Sequence, residues 1–375
     1  MGEKKLGFGF MRLPLKDAKD QKSIDLEKVN EMVDLFFKCG FTYCDTAWMY
    51  HEFTSEDAVG KAVVDRYPRE SFTIASKMPD MMLECSEDVE RIYNEQKRKL
   101  HVDYFDYYLI HNMTKENYEK AKKFGAIEFA QKKREEGEIR SLGFSIHDTP
   151  EFLDQVLTEN PFFEFVQLQI NYLDWESTDI QSRKCYEVCV KHGKKVVVME
   201  PVKGGTLANP LVNVREMLAK VHPDWSPASW AIRFAASLPN VMMVLSGMSN
   251  MEQVEDNTGY MENFEPLTKE ETDLLLEAAE MIRRGIAIPC TGCRYCIEAN
   301  ECPANLLIPE YFSLYNARKL HDKSGRSEET ADYESFLSQG YGKASDCVGC
   351  QGCEAVCPQR IPIAEWMPKL AEDME

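Results

Sequence analysis

An α/β chain built as a (β/α)8 TIM barrel followed by a small α-rich domain is what this sequence predicts. Three observations carry the prediction. Eight short apolar runs recur between Leu6 and Ser246, separated by charged, periodic segments of helical length. Strand–helix alternation in that number fits a closed parallel barrel better than an open doubly wound sheet, which usually carries fewer strands. From Cys290 onward the composition changes, and eight of the thirteen cysteines fall into two tight clusters. The boundary is therefore placed at Ile286, giving domains 1–285 and 286–375.

The runs read as strands are Leu6–Phe10, Phe41–Asp45, Phe72–Ser76, Tyr104–His111, Ile139–Ser145, Phe163–Ile170, Lys195–Met199 and Val241–Ser246. Between them, Asp25–Lys38 and Ser86–Leu100 read as helices. Ser86 is the expected N-cap of the second, with Asp88 and Glu90 favoured by the dipole of the first turn. Thr268 to Arg284 reads as a further helix. Thr268 and Glu271 form a capping box at its start, and Gly285 and Pro289 end it. The polar stretch Pro309–Gly342, with Tyr311, Phe312, Tyr315, Tyr333 and Phe336, is expected to be helical in part.

The composition is globular, with 44% apolar and 29% charged residues in 375. A formal charge of −19 argues against nucleic acid and anionic membrane surfaces, which rely on clustered Lys and Arg. The start, Met1-Gly2-Glu3-Lys4-Lys5-Leu6, lacks the apolar stretch of a signal peptide, and no run approaches a membrane helix. The expected location is the cytoplasm, where cysteines are thiols and metal ligands rather than disulfides.

Barrel enzymes place their chemistry at the C-terminal ends of the strands. Those ends offer Asp45, with Tyr50 five residues on, then Lys77 and His111. The set suits carbonyl reduction. Hydride arriving on a carbonyl carbon leaves negative charge on oxygen, and a phenol can supply the proton. An ordinary phenol has a pKa of about 10, and a nearby ammonium favours its ionised form. A carboxylate holds the ammonium, and an imidazole orients the carbonyl. Singly, each residue reads as a turn, packing or surface residue. Four together at three successive strand ends read as a site.

The strings Leu6-Gly7-Phe8-Gly9-Phe10-Met11-Arg12, Asp45-Thr46-Ala47-x-x-Tyr50, Ser76-Lys77, Leu109-Ile110-His111, Gly143-Phe144-Ser145 and Val166-Gln167-Leu168-Gln169 resemble the aldo/keto reductase family over roughly residues 5–265. The resemblance implies a catalytic tetrad of Asp45, Tyr50, Lys77 and His111. It also implies NAD(P)H across the barrel mouth, against Met11, Arg12, Asp45, Ser145, Gln167, Met199, Pro201, Gly204, Gly247, Gln253 and Asn257. This set departs from the family pattern. Ile146 follows Ser145 where Asn is frequent, and Met199 stands where a tyrosine would stack. Gly247 and Gln253 occupy places where positive charge would read a 2′-phosphate. Phosphate recognition prefers Arg or Lys, so the departure favours NAD or another electron source, unless Lys203, Arg12 or Arg233 supplies the charge from elsewhere. A flavin in the barrel mouth is a further alternative.

Cys347-x2-Cys350-x2-Cys353-x3-Cys357-Pro358 has the spacing by which bacterial-type ferredoxins hold 4Fe–4S cubanes. Cys290, Cys293, Cys296 and Cys302-Pro303 repeat it, with five residues instead of three before the last cysteine. Zinc is the competing metal, but its four-cysteine sites typically use two separated C-x2-C pairs. In two-cluster ferredoxins the fourth cysteine of each run serves the other cluster. That resemblance pairs Cys357 with Cys290, Cys293 and Cys296, and Cys302 with Cys347, Cys350 and Cys353. Cys185 and Cys189, one helical turn apart, read as core residues. The whole chain looks like the branch of the reductase family with a ferredoxin-like extension.

The function expected is an oxidoreductase reducing a carbonyl, or oxidising an alcohol, with Tyr50 as proton donor and two 4Fe–4S clusters relaying electrons. Its partners are a small-molecule substrate and a ferredoxin or other redox protein. Two alternatives stand: structural or regulatory clusters, and an electron-transfer subunit that docks a redox partner. Nicotinamide moves two electrons together and a cubane normally one, so the expected relay needs a flavin or a radical stage of the substrate.

Overall fold

Each of the eight apolar runs forms a strand in the computed structural model, which describes residues 4–18, 20–320 and 328–375. They are β1 (Leu6–Gly9), β2 (Tyr43–Asp45), β3 (Thr73–Met78), β4 (Phe105–Met113), β5 (Ile139–Ile146), β6 (Phe165–Gln169), β7 (Lys195–Met199) and β8 (Val241–Ser246). The strands pair in parallel in sequence order, and β1 closes on β8. β2 is shorter than its apolar run, because Phe41 and Thr42 precede the paired segment. β4 runs past His111 to Met113, with a register shift after Ile110.

Closure depends on matching large and small side chains inside the barrel. Tyr43, Ala75, Leu109, Phe165, Val197 and Leu245 form one buried cluster from six strands. β1 and β5 contribute glycine to the space beside them. A Cβ on Gly7 would lie 2.8 Å from Leu245 and 2.9 Å from Tyr43, and one on Gly143 would lie 2.8 Å from the Phe165 ring. Missing side chains on two strands thus make room for rings from their neighbours, as close packing requires.

The helices bury stripes at the expected period. Leu26–Lys38 buries Val29, Met32, Val33 and Phe36, and Glu87–Leu100 buries Val89, Ile92, Tyr93, Gln96, Lys99 and Leu100. Ser86 does not cap this second helix. Its backbone is already helical, at φ −67° and ψ −28°. The first-turn amides of Asp88 and Val89 bond to the Cys85 and Ser86 carbonyls at 3.3 Å each, while the Asp88 carboxylate accepts from the preceding amides of Glu84 at 3.0 Å and Cys85 at 3.2 Å. The capping box at Thr268 is formed. The Thr268 amide donates to Glu271 Oε2 at 2.7 Å, and the Glu271 amide to Thr268 Oγ1 at 3.2 Å. The helix it starts runs Lys269–Gly285.

The chain divides into two compact units. One holds residues up to Ser177 with Gln181–Val202 and Ala228–Thr272, and contains the barrel strands. The other holds Thr178–Ile180, Lys203–Pro227 and Asp273–Glu375. In the second unit, the helices Ile308–Leu320, Glu328–Ser338 and Ile363–Met374 enclose a core of Leu306, Ile308, Tyr311, Phe312, Tyr333 and Met367. Residues 321–327, within the stretch expected to be partly helical, and residues 1–3 of the polar start lie outside the described residues. No helix among the described residues is long and apolar enough to cross a membrane.

Candidate active site and metal centre

The parallel register brings the strand ends together. Gly9 pairs with Asp45, Lys77 with Leu109, and Ser145 with Gln167. Lys77 is wholly buried. Its Nζ donates to Asp45 Oδ1 at 2.6 Å and to the Thr46 carbonyl at 2.7 Å. The ammonium stands 5.0 Å from the centroid of the Tyr50 ring. The Tyr50 and His111 rings meet edge to face, with centroids 6.1 Å apart and planes at 82°. Tyr50 is the most open of the four at 8% exposure, with Asp45 and His111 at 2% each. All four residues of the expected tetrad therefore assemble at one end of the barrel.

Burial shapes their charges. It pushes the Asp45 carboxyl up and the Lys77 ammonium down, while their mutual attraction opposes both shifts. Burial, then the Lys77 charge and His147, hold the His111 imidazole well below its ordinary value. His111 is accordingly neutral at pH 7, and a neutral imidazole can present an N–H to a carbonyl oxygen.

Behind Lys77 lies a polar network that sequence reasoning missed. Glu56, fully buried six residues after Tyr50, accepts from Ser76 Oγ at 2.6 Å and Gln96 Nε2 at 2.9 Å. Gln96 Nε2 also donates to the Lys77 carbonyl at 2.9 Å, and Tyr108 donates to Gln96 Oε1 at 2.6 Å. Burial pushes the Glu56 carboxyl up to about 7. The one available signal was Ser76 beside Lys77. Nothing in the spacing points to Gln96.

The expected dinucleotide contacts divide. Ser145 Oγ accepts from the Asn112 amide at 2.8 Å. Gln167 Nε2 reaches Met199 Sδ at 3.4 Å, and its Oε1 is buried without a hydrogen-bond partner. Arg12 lies along Gly247, where an added Cβ would be 3.3 Å from Arg12 Cδ, and its guanidinium is 3.9 Å from Glu200. Met11 is half-buried beside Arg12, and Pro201 is buried. Gln253 Oε1 accepts from the Ser249 amide at 2.7 Å. Asn257 is buried between Ser246 Oγ, 2.9 Å away, and the Tyr260 hydroxyl, 2.6 Å away. Of the three cations considered as substitutes, Arg12 is the one beside Gly247. Arg233 is 8% exposed, with Tyr260 5.4 Å away. Lys203 and Gly204 group with the second unit.

The two cysteine runs fold alike. Gly292 and Gly349, before the second cysteine of each run, have φ of 62° and 66°. Arg294 and Gln351, after it, have φ of 67° and 60°. Asn305 and Arg360, three residues beyond the last cysteines, have φ of 50° and 52°, and their amides bond back to Cys302 and Cys357 at 3.0 and 3.1 Å. The longer spacing before Cys302 is thus absorbed between Cys296 and Cys302. Asn300, inside it, donates to the Cys296 carbonyl at 3.3 Å and sits where a Cβ on Gly352 would meet it at 2.5 Å.

Cys290, Cys293, Cys296 and Cys357 surround one cavity of about 320 Å³ of empty space. Cys302, Cys347, Cys350 and Cys353 surround another of about 370 Å³. Each last cysteine faces the other run's first three, in the crossed arrangement of two-cluster ferredoxins. Among the described residues, no three His, Cys, Asp or Glu side chains gather as they would around a single ion. Cys185 and Cys189 are buried.

Comparison with known proteins agrees with both halves. Residues 5–280 match the aldo/keto reductase family, and residues 289–361 match the 4Fe-4S dicluster domain. The oxidoreductase YqkF of Bacillus subtilis is 25% identical over 279 residues, covering 66% of this chain and 86% of that protein. The structure of aldo-keto reductase AKR11C1 from Bacillus halodurans, in its holo form, superposes with a TM-score of 0.59 at 25% identity, covering 73% of this chain and 91% of that one. An aldo-keto reductase from Klebsiella pneumoniae in complex with NADPH shares the fold at a TM-score of 0.56 and 20% identity, over 75% of this chain and 96% of that one. The chain is thus an oxidoreductase belonging to the aldo/keto reductase family, its barrel followed by a 4Fe–4S dicluster domain.

Proposed function

We propose that the barrel interconverts a small carbonyl compound and its alcohol, with Tyr50 as the proton donor, and that two 4Fe–4S clusters relay single electrons to or from that chemistry. The observation that supports the reading most is the buried Lys77 ammonium, fixed by Asp45 and Thr46 and facing the Tyr50 ring. In the reducing direction, Tyr50 gives its hydroxyl proton to the carbonyl oxygen as the carbon gains hydride. Lys77 stabilises the tyrosinate left behind, and Asp45 holds Lys77 in place. Neutral His111 donates to the same oxygen and fixes its approach. General acid catalysis of this kind contributes roughly 10²–10⁴ in rate.

Reduced nicotinamide, when bound, would supply the hydride as an electron pair, whereas the cubanes would exchange electrons singly, so the relay requires a flavin or a radical stage of the substrate between them. The neutral amide of Gln167, with its unpartnered buried Oε1, and the Ser145 hydroxyl suit a carboxamide. A structure of the same fold solved in complex with NADPH is in keeping with a nicotinamide cofactor. The two four-cysteine cavities suit cubanes in ligand type and count. The test is Tyr50→Phe in NAD(P)H-dependent reduction of a simple aromatic aldehyde. Activity should fall by roughly 10²–10⁴ with dinucleotide affinity retained. Undiminished turnover would remove Tyr50 as the donor.

A further inference from the structure

The four-cysteine sites differ in the charge placed around them. Lys203, four residues after β7 in sequence, belongs to the second unit. It is 3% exposed, and its Nζ donates to Gln359 Oε1 at 2.9 Å. Gln359, itself 6% exposed, stands two residues after Cys357 and lines the cavity that Cys290, Cys293, Cys296 and Cys357 surround. A lysine ammonium thus lies one side chain away from that cavity.

The backbone is shaped to hold it there. Lys203 has φ of +45°, a left-handed conformation that is unfavourable for a residue with a side chain. Gly204 follows at φ +62°, and a Cβ on it would lie 2.3 Å from the carbonyl oxygen of Thr291. Only glycine lets this turn approach the residue after Cys290 so closely. Thr291 lines the same cavity. Arg294 lines it as well, but its guanidinium is occupied by Glu298, 3.1 Å away, and by Glu310. The other cavity, lined by Cys302, Cys347, Cys350 and Cys353, has no lysine or arginine lining it among the described residues. Its polar lining is Asn300 and Gln351.

We propose that Lys203, acting through Gln359, raises the reduction potential of the cluster bound by Cys290, Cys293, Cys296 and Cys357. Reduction adds one electron and no proton to a cluster whose four thiolate ligands already make it an anion. A buried positive charge close by stabilises the added negative charge, in a medium that screens it poorly. Net charge and hydrogen bonding around the cluster are established determinants of potential. Lys203 is a positioning and tuning residue, not a ligand. The inference rests on the proposed assignment of two cubanes.

The test is an anaerobic redox titration of the reconstituted full-length protein, followed by electron paramagnetic resonance. Lys203→Gln removes the charge while keeping a side chain able to bond Gln359, and Lys203→Arg keeps the charge. Lys203→Gln should lower one midpoint potential and leave the other in place, with iron content unchanged. Lys203→Arg should keep both near their wild-type values. The signal that moves should be the one disturbed by Cys357→Ala. Unmoved potentials in Lys203→Gln, or equal shifts of both, would overturn the inference. So would loss of the cluster in Lys203→Gln and in Lys203→Arg alike, which would mark a purely structural lysine. Wild-type protein that takes up no cubane would instead refute the cluster assignment on which the inference rests.

Discussion

Lys77 Nζ sits 2.6 Å from Asp45 Oδ1, and neither side chain exposes more than 3% of its surface. The second oxygen of Asp45, Oδ2, is buried without a hydrogen-bond partner. The pair is therefore a buried ion pair in which Lys77 also donates to the Thr46 carbonyl, while Asp45 depends on Lys77. Removing one member of such a pair strands the other charge, at a typical cost of about 3–5 kcal/mol. Lys77→Met should lower unfolding stability on that scale in denaturant titration. Lys77→Met combined with Asp45→Asn should lose clearly less than the sum of the two single changes. Additive losses would mean that the two side chains do not act as a pair.

Glu56 predicts a pH dependence. Burial raises its carboxyl from an ordinary 4.5 to about 7, so the folded protein holds this proton more tightly than the unfolded chain. The stability linked to that proton is fully present below pH 4.5 and is lost as pH rises through about 7. The loss totals about 3 kcal/mol. His111 slopes the other way, because its folded value lies below 6.5 and stability is lost as pH falls. The readout is thus the difference between wild type and Glu56→Gln. Relative to wild type, the variant should gain stability between pH 4.5 and 7. A difference that stays flat across this window would show that Glu56 does not titrate in it.

Arg12 predicts cofactor preference. It is the cation beside Gly247, in the segment where a 2′-phosphate would be read. Hydrogen bonds to charged groups contribute about 1.5–3 kcal/mol. Arg12→Leu should therefore weaken NADPH binding by tenfold or more in fluorescence titration and leave NADH nearly unchanged. Equal losses for both would assign Arg12 to the shared part of the dinucleotide.

The crossed cysteines predict which cluster each last ligand serves. Cys302→Ala should disturb the resonance signal of the cluster held by Cys347, Cys350 and Cys353. Cys357→Ala should disturb the other. Anaerobic electron paramagnetic resonance of the reduced variants separates the two cases, and the reverse pattern would show that each run closes on itself.

The barrel, and the placing of Asp45, Lys77 and His111 at its strand ends, were legible because strand periodicity fixes which residues reach the C-terminal ends. Asp45 and His111 each end an apolar run and Lys77 follows one, so local pattern sufficed. The cysteine runs were legible because ligand spacing is itself local. Contacts between distant segments were not. Glu56 and Gln96 are 40 residues apart, and Lys203 and Gln359 are 156 apart. No periodicity records such pairs. Ser86 failed as a cap for a local reason: its backbone is already helical, so the Asp88 and Val89 amides bond to the Cys85 and Ser86 carbonyls instead of to its hydroxyl. The spacing before Cys302 gave no hint that Asn300 would fill the extra length.

The proposed pair of cubanes has a direct chemical signature. Iron and acid-labile sulfide, measured together on the anaerobically reconstituted full-length protein, should each come to about eight per chain. About four of each, or zinc in their place, would contradict the two-cluster centre.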